Sequence, residues 1–273
     1  MNAVGLEVRN HVGWITLDRP GIANAIDRPM LCALDKALDF VIERNHAVRA
    51  MVLTGTGRHF CSGVDLRAMS APDGMERGFL DHVIERLLSI PVPIVAAISG
   101  AAAGSGMTMA LTADIILMTE DAFFLPSFIR LGLVPDNGIT TLLSERVGAA
   151  RARASLMLSE RIEARKALDW GLAYEIVSAP ALQARAAELA EKLASGPRNA
   201  LAATRMIFSQ RNGGEFHKQL RAERSAHLDA LRSQECIEGR AAFFERREPC
   251  FVKGDPGHSV DAGPEAASRR TVV

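Results

Sequence analysis

The run Leu131–Gly138, LGLVPDNG, sets one carboxylic acid inside a turn-forming sequence at the end of an apolar stretch. Proline presets φ, Asp and Asn bond their own backbone, and glycine tolerates positive φ, so Pro135-Asp136-Asn137-Gly138 has a purely local explanation as a turn. The same run also offers an acid that could take or give a proton. Two other segments set small residues directly after apolar stretches. In His59–Leu66, HFCSGVDL, Gly63 permits an unusual backbone turn, and the Val64 N–H could then point into a cleft. The plainer reading is a strand-to-helix turn with Asp65 as N-cap. In Ser99–Met107, SGAAAGSGM, a strand end runs into a glycine-rich helix start. Free N–H groups and the positive end of the helix dipole there suit an oxyanion or a phosphate, while the plainer reading is close packing of helix on strand. Two donor-rich turns and one acid suit a carbonyl polarised by N–H groups while a carboxylate moves a proton at the adjacent carbon.

Other chemistries fit less well. The glycine spacing matches neither a P-loop nor a dinucleotide fingerprint. Ser105 is a poor hydrolase nucleophile, because Ala103 stands where a nucleophile elbow needs glycine. Cys32, Cys61, Cys236 and Cys250 are scattered, and the seven histidines do not cluster, which argues against a metal site or a disulfide framework. Cys61, if buried, would be inert. His59 is expected to support its loop, and Glu120 and Asp121 to form a solvated turn. Lys+Arg and Asp+Glu are equal at 32 each, so charge gives no case for nucleic acid as a partner. The opening MNAVGLEVRN has no basic region followed by an apolar run, and no apolar stretch approaches the roughly 20 residues of a membrane span. A cytoplasmic protein is the default.

The elements that must position these turns can be read from period and punctuation. GLEVRN and VGWITLD form a hairpin. Asp27-Arg28-Pro29 opens a helix in which Leu31, Leu34, Leu38 and Val41 recur at helical spacing. VRAMVLTG, PVPIVAAISG, ADIILMTE, AFFLP and LAYEIVS are strands. A helix begins near Gly138, and ARARASLML continues as helix; the segment from about Met69 to Leu88 is too irregular to build from pattern. From about Pro180 only helices follow, with apolar stripes such as Leu189, Leu193 and Leu220, Leu228, Leu231 that one core cannot all cover.

LDRPGIANAI, VLTGTGRHFCSGVDL, PVPIVAAISGAAAGSGMTMALTADIILMTEDAFF, LGLVPDNG and GRAAFFERREPCF together resemble the crotonase superfamily, the enoyl-CoA hydratase/isomerase family, from about Leu6 to Phe251. The resemblance implies an α/β spiral of ββα units, with trailing helices that build a homotrimer or a homohexamer. It divides the chain into a core with the CoA-thioester site at 1–195, a helical region at 196–253 and a tail at 254–273, whose Gly, Pro, Ser and Ala predict disorder. It also implies an acyl-CoA substrate, with CoA part of the substrate and no separate cofactor. The thioester oxygen would sit between the Val64 and Ser105 amides. Ala23 and Ala25 and the segment around Ser62, Gly63, Asp65 and Leu66 would line the CoA path, with Gly104 beside the second amide. Arg19 and Lys253 would meet the CoA phosphates.

The chain departs from the hydratase pattern at two positions. The two glutamates that hydratases use map here to Thr108 and Phe128, and neither residue can hold and transfer a proton near neutral pH. The acid sits instead at Asp136, as in the isomerase-like branch, where one carboxyl takes a proton from one carbon and returns it to another. The expected activity is an acyl-CoA isomerase with Asp136 as its catalytic acid and base. The alternatives are an enoyl-CoA hydratase and a non-catalytic CoA-binding or scaffold protein.

Overall fold

The fold comes from a computed structural model and is described for residues 3–43, 47–67, 78–210 and 213–251. Lys253, the tail from Gly254 and the start of the segment from Met69 lie outside the described residues.

β1 (Val4–Arg9) and β2 (Val12–Leu17) form the expected hairpin. Its turn residues Asn10 and His11 have φ of 50° and 63°, the tight turn whose twist matches the strands. α1 (Arg28–Glu43) begins where Asp27 Oδ1 accepts from Met30 N at 2.9 Å, and it buries the predicted Leu31, Leu34, Leu38 and Val41. The chain then repeats one unit: a strand of the large sheet, a short strand beside it, and a helix. β3 (Ala50–Gly55) is followed by a single bridge at Cys61 and by α2 (Phe79–Ser89). β4 (Ile94–Ile98) is followed by β5 (Ala101–Ala103) and α3 (Ser105–Leu111). β6 (Ile115–Thr119) is followed by β7 (Phe123–Leu125) and, after the Asp136 turn, by α4 (Ile139–Val147). α5 (Ala149–Leu158), β8 (Ile162–Glu163), α6 (Ala164–Asp169) and β9 (Glu175–Val177) complete the layer.

The large sheet runs β1-β2-β3-β4-β6-β9, parallel throughout except for β1. The small sheet runs β5-β7-β8, and Cys61 extends it by bridging Ala102. This is the spiral of ββα units that the resemblance implied. β5 and β8 went unread in the sequence because one is three alanines and the other only two residues long.

α7 (Leu182–Ala194), α8 (Arg198–Gln210), α9 (Gly213–Ala230) and α10 (Gln234–Glu245) follow. α7 covers the second face of the large sheet. Leu182, Ala186, Leu189 and Ala190 pack there on Val12, Trp14, Val52, Val95 and Leu117, while Met51, Leu53, Ile94 and Ile98 point into the main core. This corrects one sequence expectation. Leu189 is buried and Leu193 is packed on the sheet, and Leu220 and Leu231 pack on the main core, so four of the five leucines are covered within one chain, while Leu228 is half-buried and belongs to neither core. The exposed apolar side chains lie elsewhere, at Met157, Leu158, Tyr174, Ile207, Phe208 and Ile237.

Arg205 ties α8 to the core. Its buried guanidinium bonds the carbonyls of Leu87, Leu88 and Ile90 at the end of α2 at 2.7–2.8 Å, and Asp114 Oδ2 at 2.8 Å. Among the described residues no helix is long and apolar enough to cross a membrane.

Candidate active site

Asn24 fixes the first turn. It is fully buried in the left-handed region, and its Nδ2 donates to the carbonyls of Thr56 at 3.0 Å and His59 at 2.7 Å. Its Oδ1 accepts from Arg19 N at 2.7 Å. His59 Nδ1 accepts from Ala101 N at 3.1 Å, so that nitrogen carries no proton. Burial and then Arg58 push the pKa of His59 down, in keeping with a supporting role. Cys61 is fully buried, its Sγ bonded to Asn24 O at 3.2 Å, and burial pushes its thiol up to about 12. Gly63 follows with φ of +92°, and a Cβ there would lie 2.8 Å from Ala103 O and 3.4 Å from Ser105 N. The Gly63 turn and the start of α3 are therefore in contact. Neither the Val64 nor the Ser105 N–H donates to any group among the described residues.

The second turn passes from β5 through Gly104, at φ 49° and ψ −125°, into α3. Thr108 is fully buried, with Oγ1 turned back to Gly104 O at 3.5 Å. Phe128 is buried, and its carbonyl accepts from Leu131 and Leu133. The two positions that lack glutamate thus hold a hydroxyl facing its own helix and a phenyl ring.

At the third turn, Asp136 precedes Asn137 and Gly138, whose φ values of 60° and 82° lead into α4. The residue is half-buried, but its Oδ1 is enclosed and has no hydrogen-bond partner. Oδ2 lies 3.4 Å from His227 Nδ1 on α9. That nitrogen is also 2.6 Å from Val134 O, so it carries the proton and donates. Burial, followed by the charges of Asp81 and Glu223, holds the Asp136 carboxyl well above the ordinary carboxylate range. Burial pushes His227 down and Glu223 up. Asn137 links this turn to the second one: it accepts from Ser105 Oγ at 2.9 Å and donates to Asp81 Oδ1 at 2.8 Å. Glu223 accepts from Gly138 N at 2.7 Å, from Thr140 N at 3.2 Å and from the Thr140 hydroxyl.

The expected CoA path is partly engaged in internal contacts. Ala23 O accepts from Ser62 N at 2.9 Å, and Ala25 O accepts from Arg19 Nη1 at 2.6 Å. Leu66 is buried, and Asp65 Oδ1 accepts from Arg67 N at 3.1 Å. Arg19 is held by two acids. Its guanidinium sits between Asp27 at 2.9 Å and Asp65 at 3.6 Å, which hold it in place. The sequence reading also missed Asn24, Asp81, Asn137, Glu223 and His227. Only Glu223 and His227 carried a signal, a helical i, i+4 pair of polar residues. Among the described residues no three His, Cys, Asp or Glu are grouped to hold a metal ion.

The enoyl-CoA hydratase/isomerase family model matches residues 7–254. The 1,2-epoxyphenylacetyl-CoA isomerase of Escherichia coli K12 is 35% identical over 254 residues, 90% of this chain and 96% of that protein. The carnitinyl-CoA dehydratase of Proteus mirabilis HI4320 is also 35% identical over 254 residues, 89% of this chain and 96% of that one. The crystal structure of an enoyl-CoA hydratase/isomerase from Pseudoalteromonas atlantica T6c superposes with a TM-score of 0.85 at 31% identity, covering 92% of this chain and 100% of that one. A chain with these three turns, this spiral and these relatives belongs to the enoyl-CoA hydratase/isomerase family.

Proposed function

We propose that the protein is an acyl-CoA isomerase in which Asp136 is the single proton carrier and the Val64 and Ser105 amides hold the thioester oxygen. The observation that carries this reading is the Asp136 Oδ1, enclosed and without a partner, in a turn bonded through Asn137 to Ser105. As carboxylate, Asp136 takes a proton from a carbon of the acyl chain. The electron pair of that C–H bond moves toward the thioester, and negative charge collects on its oxygen. Two N–H donors stabilise that oxyanion without reorganising. Asp136, now the acid, returns the proton to a different carbon, so the double bond shifts and the carboxylate is restored. Substrate and product have equal mass, and the cycle balances without a further cofactor. A carboxyl held above the usual range is matched to both halves of this cycle.

Hydration or dehydration is the second reading. It is favoured by the relative named a dehydratase, which is as similar as the one named an isomerase. The test is a panel of 2-enoyl, 3-enoyl and aryl-acetyl CoA thioesters with mass analysis of the products. Products of unchanged mass support isomerisation, and a gain or loss of water on the best substrate refutes it. We further propose a trimer or hexamer, because Met157, Leu158, Ile207 and Phe208 are exposed apolar residues outside the fold's own cores. A stable monomer at micromolar concentration in sedimentation would refute that.

A further inference from the structure

The helical region reaches over the acid turn. Glu223 and His227 stand four residues apart on one face of α9, and both meet the segment Val134–Thr140. His227 Nδ1 is 2.6 Å from Val134 O and 3.4 Å from Asp136 Oδ2. Glu223 takes the amides of Gly138 and Thr140, two and four residues after the acid. Oδ1, on the other side of the carboxyl, meets no partner. We propose that Glu223 and His227 are positioning residues for Asp136: His227 holds the turn by Val134 O and backs Oδ2, Glu223 clamps the turn by its amides, and Oδ1 is thereby left as the atom that exchanges the proton with the acyl chain. This rests on the thioester reading above.

The arrangement has an electrostatic consequence. The charged and titratable groups that face Asp136 are Asp81 from α2 and Glu223 and His227 from α9. Arg224 stands behind them, its Nη1 3.8 Å from Asp81 Oδ2. Two neighbouring carboxylates oppose ionisation of Asp136, and the neutral His227 gives its Nδ1 proton to Val134 O and adds no charge in return. Removing one negative charge should therefore make Asp136 a stronger acid.

The experiment is a pH titration of the Asp136 carboxyl by infrared difference spectroscopy on labelled-aspartate protein, against Asp136→Asn as the blank, with no substrate present. Glu223→Gln should lower the midpoint by about one pH unit. Asp81→Asn, on a different helix, should lower it in the same direction and serves if Glu223→Gln does not fold. In kinetics, His227→Leu should cut kcat about tenfold or more with KM nearly unchanged, because it loosens the acid without touching CoA. His227→Asn, which can place an amide nitrogen near the Nδ1 position, should restore most of that loss. A merely structural role predicts equal losses in both His227 variants, tracking stability. An unmoved midpoint in a folded Glu223→Gln or Asp81→Asn overturns the proposal, whatever the thioester panel gives. An inactive wild-type panel with a shifted midpoint refutes the thioester reading instead.

Discussion

Replacing Asp136 by Asn should separate chemistry from architecture, because the two readings of this turn predict opposite stability changes. The substitution keeps the shape of the side chain and removes its proton. If Asp136 carries the reaction, turnover falls on the order of 10²- to 10⁴-fold, while the Kd for a CoA thioester changes little. Stability should rise at neutral pH. The wild-type carboxyl is enclosed at Oδ1 without a partner and lies among other acids, so its ionised form is unfavourable. An unpartnered buried charged group costs about 1–3 kcal/mol or more. For a chain of this size that corresponds to a Tm gain of roughly 2–10 °C.

The pH dependence follows from the direction of the shift. Because the folded value is raised, the favourable contribution of Asp136 is fully present below its unfolded value of about 3.9 and is lost as pH rises through the folded value. Asparagine does not titrate. The stabilisation by Asp136→Asn should therefore be largest well above neutrality and shrink toward pH 4. Calorimetry at two pH values and steady-state turnover with the best thioester test both halves. If turnover stays near wild type, the proton-carrier role is wrong. If Tm falls equally at both pH values, Asp136 is there for its turn bonds.

Gly63→Ala should cost at least about 1–3 kcal/mol and most of the activity, because it adds strain at φ +92° and brings a methyl 2.8 Å from Ala103 O; a fully active variant in a turnover assay would show that the two turns do not need their present spacing. Arg205→Met should lower stability by about 2–4 kcal/mol in denaturant titration, since it strips donors from three buried carbonyls and from Asp114. Cys61 should resist alkylation at pH 8 in the native protein, its thiol being buried and pushed up to about 12, and peptide mapping that finds Cys61 labelled before the exposed Cys250 would contradict that enclosure.

What was legible in the sequence was local. The hairpin announced itself through alternation, α1 through the Asp27 cap, and the three turns through glycine or asparagine that the structure places at positive φ. The covering of the large sheet was also legible in principle. AMVLTG and PIVAAI are apolar at every other position on both faces, so a second helical layer had to exist, and α7 is that layer. Counting Leu189 among side chains that one core cannot cover overlooked that requirement. Glu223, His227 and Asp81 were not legible, because nothing near them in sequence says which turn they meet. His227 lies 93 residues from the carbonyl it bonds, and Glu223 lies 85 from the amide it accepts. The i, i+4 spacing of Glu223 and His227 marks a shared helix face and not the turn that this face meets.

The acid turn and the trailing helices are joined by the glycines as well as by Glu223 and His227. A Cβ at Gly132 would come 2.5 Å from the Glu235 backbone in α10, and one at Gly138 would come 2.7 Å from the Phe216 ring in α9. Both positions have positive φ, so each glycine serves the turn and the helix approach at once. Asp136 sits between these two contacts, and its side chain is met from the same direction by His227. A rigid acid turn pressed between helices suits a proton carrier that must reach two carbons of one substrate without moving its own backbone. It also means that loosening α9 should be felt in proton transfer and in stability together, since Phe216 and Leu220 of α9 belong to the main core.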